Sequence, residues 1–166
     1  MLPAPTAESL TTCDITETET IKVGGMAPMT GPTAADASDY SRAAGIAIDE
    51  INAAGGVCGK DKRYKLEIVE ADATEMPFAD AEFSAAFSFT MMHHVPTPEL
   101  QDRLFAQVAR VLQPGGVLAG LDSLDSQQFR EMHIDDVCVP LDPATLADRL
   151  SRAGFSDVRV EPNPYV

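Results

Sequence analysis

At 166 residues the chain is long enough for one domain with a buried core, and 45% apolar with 23% charged residues is a globular balance. The 26 acidic against 12 basic residues leave a formal net charge of -14, which excludes nucleic acid and an anionic membrane surface as expected partners, because phosphates are bound by clustered Lys and Arg. A small-molecule ligand is compatible with that charge. No apolar run approaches the roughly 18 residues that would span a bilayer. The start, MLPAPTAESLTTCDITETET, has no basic region followed by an apolar one, so an intact signal peptide is not expected and a cytoplasmic location is. Cys13, Cys58 and Cys138 are odd in number and widely spaced, which reads as free thiols in a reducing compartment.

In chain order, residues 1–20 are rich in Thr, Pro and Glu without apolar periodicity, a disordered or loosely attached arm. Ile21 to Pro28 is a short strand entering a turn. TAADASDYSRAAGIAIDEINAAGG is a helix with Tyr40, Ala43, Ala44, Ala47, Ile48 and Ile51 at three-and-four spacing, closed by Gly55-Gly56. Tyr64 to Asp72 is a strand, and its charges place it near a sheet edge. Ala85 to Met91 is the next strand. TPELQDRLFAQVARVLQPGG is an amphipathic helix with Leu100, Leu104, Val108, Val111 and Leu112 on one face, stopped by Pro114-Gly115-Gly116. GVLAGLDS is an apolar strand. Residues 124–140 carry no clear element, and the acids Asp122, Asp125, Glu131, Asp135 and Asp136 read as a solvated connection. Asp142 caps a last helix with Pro143 at its first position and Gly154 at its end, and SDVRVEPNPYV gives a final strand. Alternating strands and helices imply parallel strands with right-handed crossovers, hence a three-layer α-β-α Rossmann-like sandwich of about five strands in one α/β domain over 21–166. Val23, Ile68, Phe87 and Leu118 are expected to form one apolar layer beneath Ile48, Leu104 and Leu150.

Two stretches resemble known families. DATEMPFADAEFSAAFS, MMHHV, LFAQVARVLQPGGVLAGLDS and LADRLSRAGFSDVRV, together covering 72 to about 160, resemble class I S-adenosylmethionine-dependent methyltransferases. The resemblance implies the later half of that Rossmann-like sheet and S-adenosylmethionine as cofactor. It puts Asp72 and Ala73 where an acidic residue and its neighbour bind the adenine. Phe89 falls in the strand-end region that flanks the methionine moiety, with His93 and His94 on the substrate side. IKVGGMAPMTGPTAADASDYSRAAGIAIDEINAAGGVCGKDKRYKLEIVEAD, 21–72, is similar instead to type I periplasmic binding proteins for branched-chain amino acids, through its TGP turn, the DEINAAGGVCGK helix end and a second strand ending in an acidic residue. If the first two strands pair as they do in these families, the strand order is 2-1-3-4-5, with the binding crevice where strand order reverses.

The methyltransferases' first strand ends in closely spaced glycines that let the backbone approach the cofactor. Here it ends GGMAPMTGPT. Gly24 and Gly25 are adjacent, two prolines remove amide donors, and Met26 and Met29 add bulk. Glu70 is the nearest stand-in for the acid that grips the ribose. The pattern reads as a chimera joined near 70–73, a reading that also fits the confinement of all four lysines to the first 65 residues. Three functions stay open: a methyltransferase-like domain with impaired or lost activity, a folded recombinant with no evolved ligand, and a small-molecule, amino-acid-like binding module. No catalytic residue is assigned. The spacings of His93, His94, His133 and Cys138 match no zinc pattern, and adjacent histidines point apart on a strand, so no metal site is expected. Met91-Met92 reads as core.

Overall fold

The computed structural model describes residues 10–24, 34–69 and 71–162. The chain divides into two compact units, one drawn from 1–27 and 35–70, the other from 28–34 and 71–166.

The first unit holds β1 (Thr18–Gly24), α1 (Ala34–Ala53), β2 (Val57–Cys58) and β3 (Arg63–Val69). β1 and β3 run parallel, from Thr18 opposite Arg63 to Gly24 opposite Val69, as expected for the first two strands. β1 starts three residues ahead of the expected Ile21, so Thr18, Glu19 and Thr20 are strand rather than arm. The two-residue β2 adds an antiparallel edge to β3, an element without a signal in the sequence. α1 closes where the glycine pair predicts: the Gly56 amide donates to the Ile51 carbonyl, and both glycines have positive φ. A Cβ on Gly56 would lie 2.5 Å from the Tyr64 carbonyl oxygen, so the residue serves the close approach of β3 as well as the turn.

Polar side chains tie this unit together. The Asn52 amide group donates to the Leu66 carbonyl and accepts from the Leu66 amide, both at 2.8 Å, locking α1 onto β3. The Arg63 guanidinium donates to the carbonyls of Gly55, Ala54, Thr11 and Cys13. Cys13 and Cys58 are joined in a disulfide, which overturns their reading as free thiols; Cys138 is free. Cysteine count and spacing could not reveal this, because the pair is made by β2 and Arg63 bringing the arm to the hairpin.

The second unit holds β4 (Phe83–Phe89), a 3-10 turn (Met92–His94), α2 (Pro98–Val111), β5 (Leu112–Leu121), α3 (Gln127–Met132) and α4 (Pro143–Ala153). β4 and β5 are parallel, with an irregularity that takes up Gln113–Gly116. Thr97 caps α2, with Pro98 at the first position, and Asp142 caps α4. Gly154 ends α4 in the left-handed conformation, as expected. The core is Leu104, Phe105, Val108 and Val111 of α2 with Met92, Val95, Leu112 and Phe129, so the methionine pair contributes core through Met92. Arg110 clamps the loop before β4 by donating to the carbonyls of Met76 and Phe78. Arg149 of α4 reaches Asp102 at 2.6 Å and lies over the Phe105 ring.

Among the described residues the strands form a three-stranded and a two-stranded sheet, rather than one five-stranded sheet in the order 2-1-3-4-5. Two of the expected adjacencies are present, strand one on strand two and strand three on strand four. The expected apolar layer is not formed: Ile68 is 38% and Phe87 63% exposed. Described residues 155–162 form no strand; Asp157 sits at φ +54 and Pro162 has no amide to donate. No described helix is long and apolar enough to cross a membrane.

Candidate functional site

β4 and β5 run parallel, so their carboxyl ends lie side by side. Asp122 follows the end of β5, and the chain leaving β4 turns sharply through Met92–His94. Asp122 binds the two together: its Oδ2 accepts from the Met92 amide at 2.8 Å, its Oδ1 from the Ser123 amide and from His93 Nδ1 at 2.5 Å. Both side chains are buried. Burial alone would push the Asp122 carboxyl up, but the hydrogen bond and charge of His93, with the two amides, hold it below its ordinary value.

His94 does not point away from His93. On the 3-10 turn the two rings lie 4.2 Å apart between centroids, and the His133 ring stands 4.9 Å from His93 and 5.3 Å from His94. The expectation that adjacent histidines diverge assumed a strand; the turn removes that alternation. His133 Nδ1 donates to the Phe129 carbonyl at 2.8 Å. Phe129 closes the group edge-on to His93. Asp136 brings its Oδ2 to 3.4 Å from His94 Nδ1, and it too is buried. Burial, then the neighbouring His93, hold the His94 pKa below its ordinary value. The backbone is pinned here as well: the Val139 amide donates to the His93 carbonyl, and the fully buried Gln101 donates to the carbonyls of Met92 and Val139. The acidic run is therefore not uniformly a solvated connection. Asp122 and Asp136 face inward to histidines, while Asp125 pairs with Arg130 in solvent.

The expected cofactor residues have different surroundings. Asp72 is exposed, and its Oδ1 accepts from both the amide and the hydroxyl of Thr74, bonds that hold its pKa below the ordinary carboxylate value. Its Oδ2 is in neither bond. Ala73 lies in the same turn. Phe89 is 60% exposed, stacked beside Phe87 with centroids 6.2 Å apart, at the end of the strand that leads to the histidines. Gly24 ends β1. Glu70 and Gly25 lie outside the described residues. Asp122, Asp136 and His133 were not among the expected site residues; an acid directly after the apolar strand GVLAGL was the signal for the first, His133 stands with His93 and His94 in the sequence but at no zinc spacing, and Asp136 reads there as solvated.

Residues 27–120 match the family of methyltransferase domains, more than half of the chain. The chain belongs to that family. Among curated proteins it is 35% identical over 88 residues to the probable tRNA methyltransferase 9B of Bos taurus, covering 53% of this chain and 19% of that protein. It is 41% identical over 61 residues to sterol methyltransferase-like 1 of Botryococcus braunii, covering 37% of this chain and 15% of that one. The chain thus spans less than a fifth of these relatives' lengths. Among solved structures it resembles phosphoethanolamine N-methyltransferase 2 of Haemonchus contortus, solved with phosphomonomethylethanolamine and S-adenosylhomocysteine, at 15% identity and a TM-score of 0.51, over 88% of this chain and 35% of that one. That likeness shows the fold, the mixed α/β Rossmann-like fold expected from the alternating elements. The family match also crosses 27–72, the stretch from which a resemblance to periplasmic binding proteins was expected.

Proposed function

We propose that this methyltransferase-family chain is an S-adenosylmethionine-binding unit whose grip on the cofactor is weak, leaving methyl transfer impaired. The observation that carries the reading is the end of the first strand, GGMAPMTGPT, in place of spaced glycines. Without them the backbone cannot close on the ribose and methionine moiety as it does where the spacing is kept. What remains for the cofactor within the second unit is the Asp72–Ala73 turn, offering the Oδ2 that Thr74 leaves free, and the exposed Phe89 ring as an apolar contact. His93 and His94 stand on the substrate side. The charge of -14 favours a small methyl acceptor over the tRNA in the name of one relative, because so acidic a surface repels a polyphosphate. Isothermal titration with S-adenosylhomocysteine tests this. Weak binding that Asp72→Ala abolishes is the expected result; micromolar binding, or binding indifferent to that substitution, would overturn it.

A second reading, a chimera of a binding-protein β-α-β and the later half of a methyltransferase, draws support from one coincidence. One boundary between the compact units falls at 70/71, near the expected junction of the two family resemblances, although 28–34 also groups with the second unit. It expects cooperative unfolding with a midpoint that no ligand moves. A thermal-shift screen against amino acids and S-adenosylhomocysteine checks it, and a specific upward shift by either would remove it.

A further inference from the structure

We propose that His93, His94 and His133 form a binding site for one divalent transition-metal ion, with Zn2+ the best fit. Among the described residues this is the group whose ligand atoms meet: one ring nitrogen from each of the three lies within 4.8 Å of the others. The surroundings decide which nitrogen each ring offers. His133 Nδ1 faces a carbonyl, which only accepts, so that nitrogen carries a proton. His93 Nδ1 donates to the Asp122 carboxylate, and His94 Nδ1 faces the Asp136 carboxylate. His93 and His133 are thus left with an Nε2 lone pair for a cation, and the His94 ring also lies against the backbone of Val137. Carboxylates and carbonyls behind the Nδ1 atoms of metal-binding histidines fix tautomer and ring orientation and make the ring a better donor.

A second observation points the same way. Asp136 Oδ2 and His94 Nδ1 are buried and lack a hydrogen bond. Two inward carboxylates, Asp122 and Asp136, with side chains 9% and 8% exposed, thus flank three imidazoles, and of the two it is Asp136 whose Oδ2 is left without a hydrogen bond, which is costly. A divalent ion on the three rings balances both carboxylates and, by polarising the imidazoles, strengthens the Nδ1–H donors that face them. Three imidazole nitrogens suit Zn2+ and its neighbours in the first transition row, and three protein ligands leave a fourth position for water or a substrate atom. Zn–N bonds of about 2.0–2.1 Å require the nitrogens to draw closer than they stand. His94 and His133 are partly exposed, whereas His93 is buried. The ligands come from the turn after β4 and the segment after α3, so an ion would cross-link them.

The test uses the untagged full chain, stripped of metal by a chelator and titrated with Zn2+ by calorimetry, with Co2+ absorption reporting geometry. Expected are one Zn2+ per chain at sub-micromolar affinity and intense tetrahedral Co2+ bands. His94→Ala and His133→Ala should each lose most of that affinity while keeping the parent's circular dichroism. Asp122→Asn should weaken binding by ~10–100-fold. Absence of stoichiometric binding by the parent, or binding indifferent to both histidine substitutions, overturns the site. Should an alanine variant fail to fold, the parent's Co2+ spectrum decides: weak octahedral absorption overturns the proposal too. Failure of S-adenosylhomocysteine to bind would leave this result unaffected, since no cofactor enters the titration.

Discussion

The two units are held together by different means. Every apolar side chain that is buried among the described residues, from Met92 to Phe129, belongs to the second unit. The first shows Ile21, Ile46 and Ile68 exposed and relies on the Asn52 clasp, the Arg63 fan of hydrogen bonds and the Cys13–Cys58 disulfide. Apolar burial contributes about 1.5–3 kcal/mol per large side chain, whereas a typical hydrogen bond contributes about 1 kcal/mol net. One unit therefore draws its stability from volume filled, the other from geometry and covalent constraint. The lesson is that a β-α-β segment with a half-exposed helix can stay ordered when its helix end and its strand share side-chain hydrogen bonds.

Three experiments would break or sharpen that contrast. The largest effect is expected from Phe105→Ala, which empties the centre of the second unit and should cost about 3–5 kcal/mol of its stability. Chemical denaturation read by circular dichroism, with hydrogen exchange in α2, measures it; a loss under 1 kcal/mol would show that Phe105 is not the keystone its burial suggests. Reduction of the Cys13–Cys58 bond should come next. Closing a loop of 45 residues is worth about 2–4 kcal/mol, and the effect should be confined to the first unit. Reductant should speed amide exchange in β3 and leave α2 protected; equal acceleration in both would show that the units share one cooperative transition. The smallest effect is expected from Asn52→Ala, which leaves the Leu66 amide and carbonyl to find water and should cost about 1 kcal/mol. Thermal unfolding checks it, and an unchanged midpoint would mean that the clasp reports the packing of α1 on β3 without supporting it.

Much of the second unit was legible because its signals are local. Thr97-Pro98 and Asp142-Pro143 favour helix starts and Gly154 a helix end, since capping needs only neighbouring residues. The alternation of strand and helix was enough for the α/β class. In the candidate site the three histidines were legible as residues, whereas their two acidic neighbours read as solvated. His93 and His94 stand out as a pair, but their convergence depended on the backbone leaving β4 as a 3-10 turn. The expected apolar layer failed at Phe87 because strand alternation shows which side chains share a face and not which face a neighbour covers.

By itself, then, the sequence determined the order and kind of the main elements and the limits of α2 and α4. These rest on short-range preferences or on residues that are simply present or not. Only the tertiary structure decided that Cys13 meets Cys58, that β4 and β5 form a sheet of their own, and that Asp122, Asp136 and His133 gather around His93 and His94. Those contacts join residues far apart in the chain, and their meeting is set by how the packed elements aim the chain ends, which no local spacing encodes.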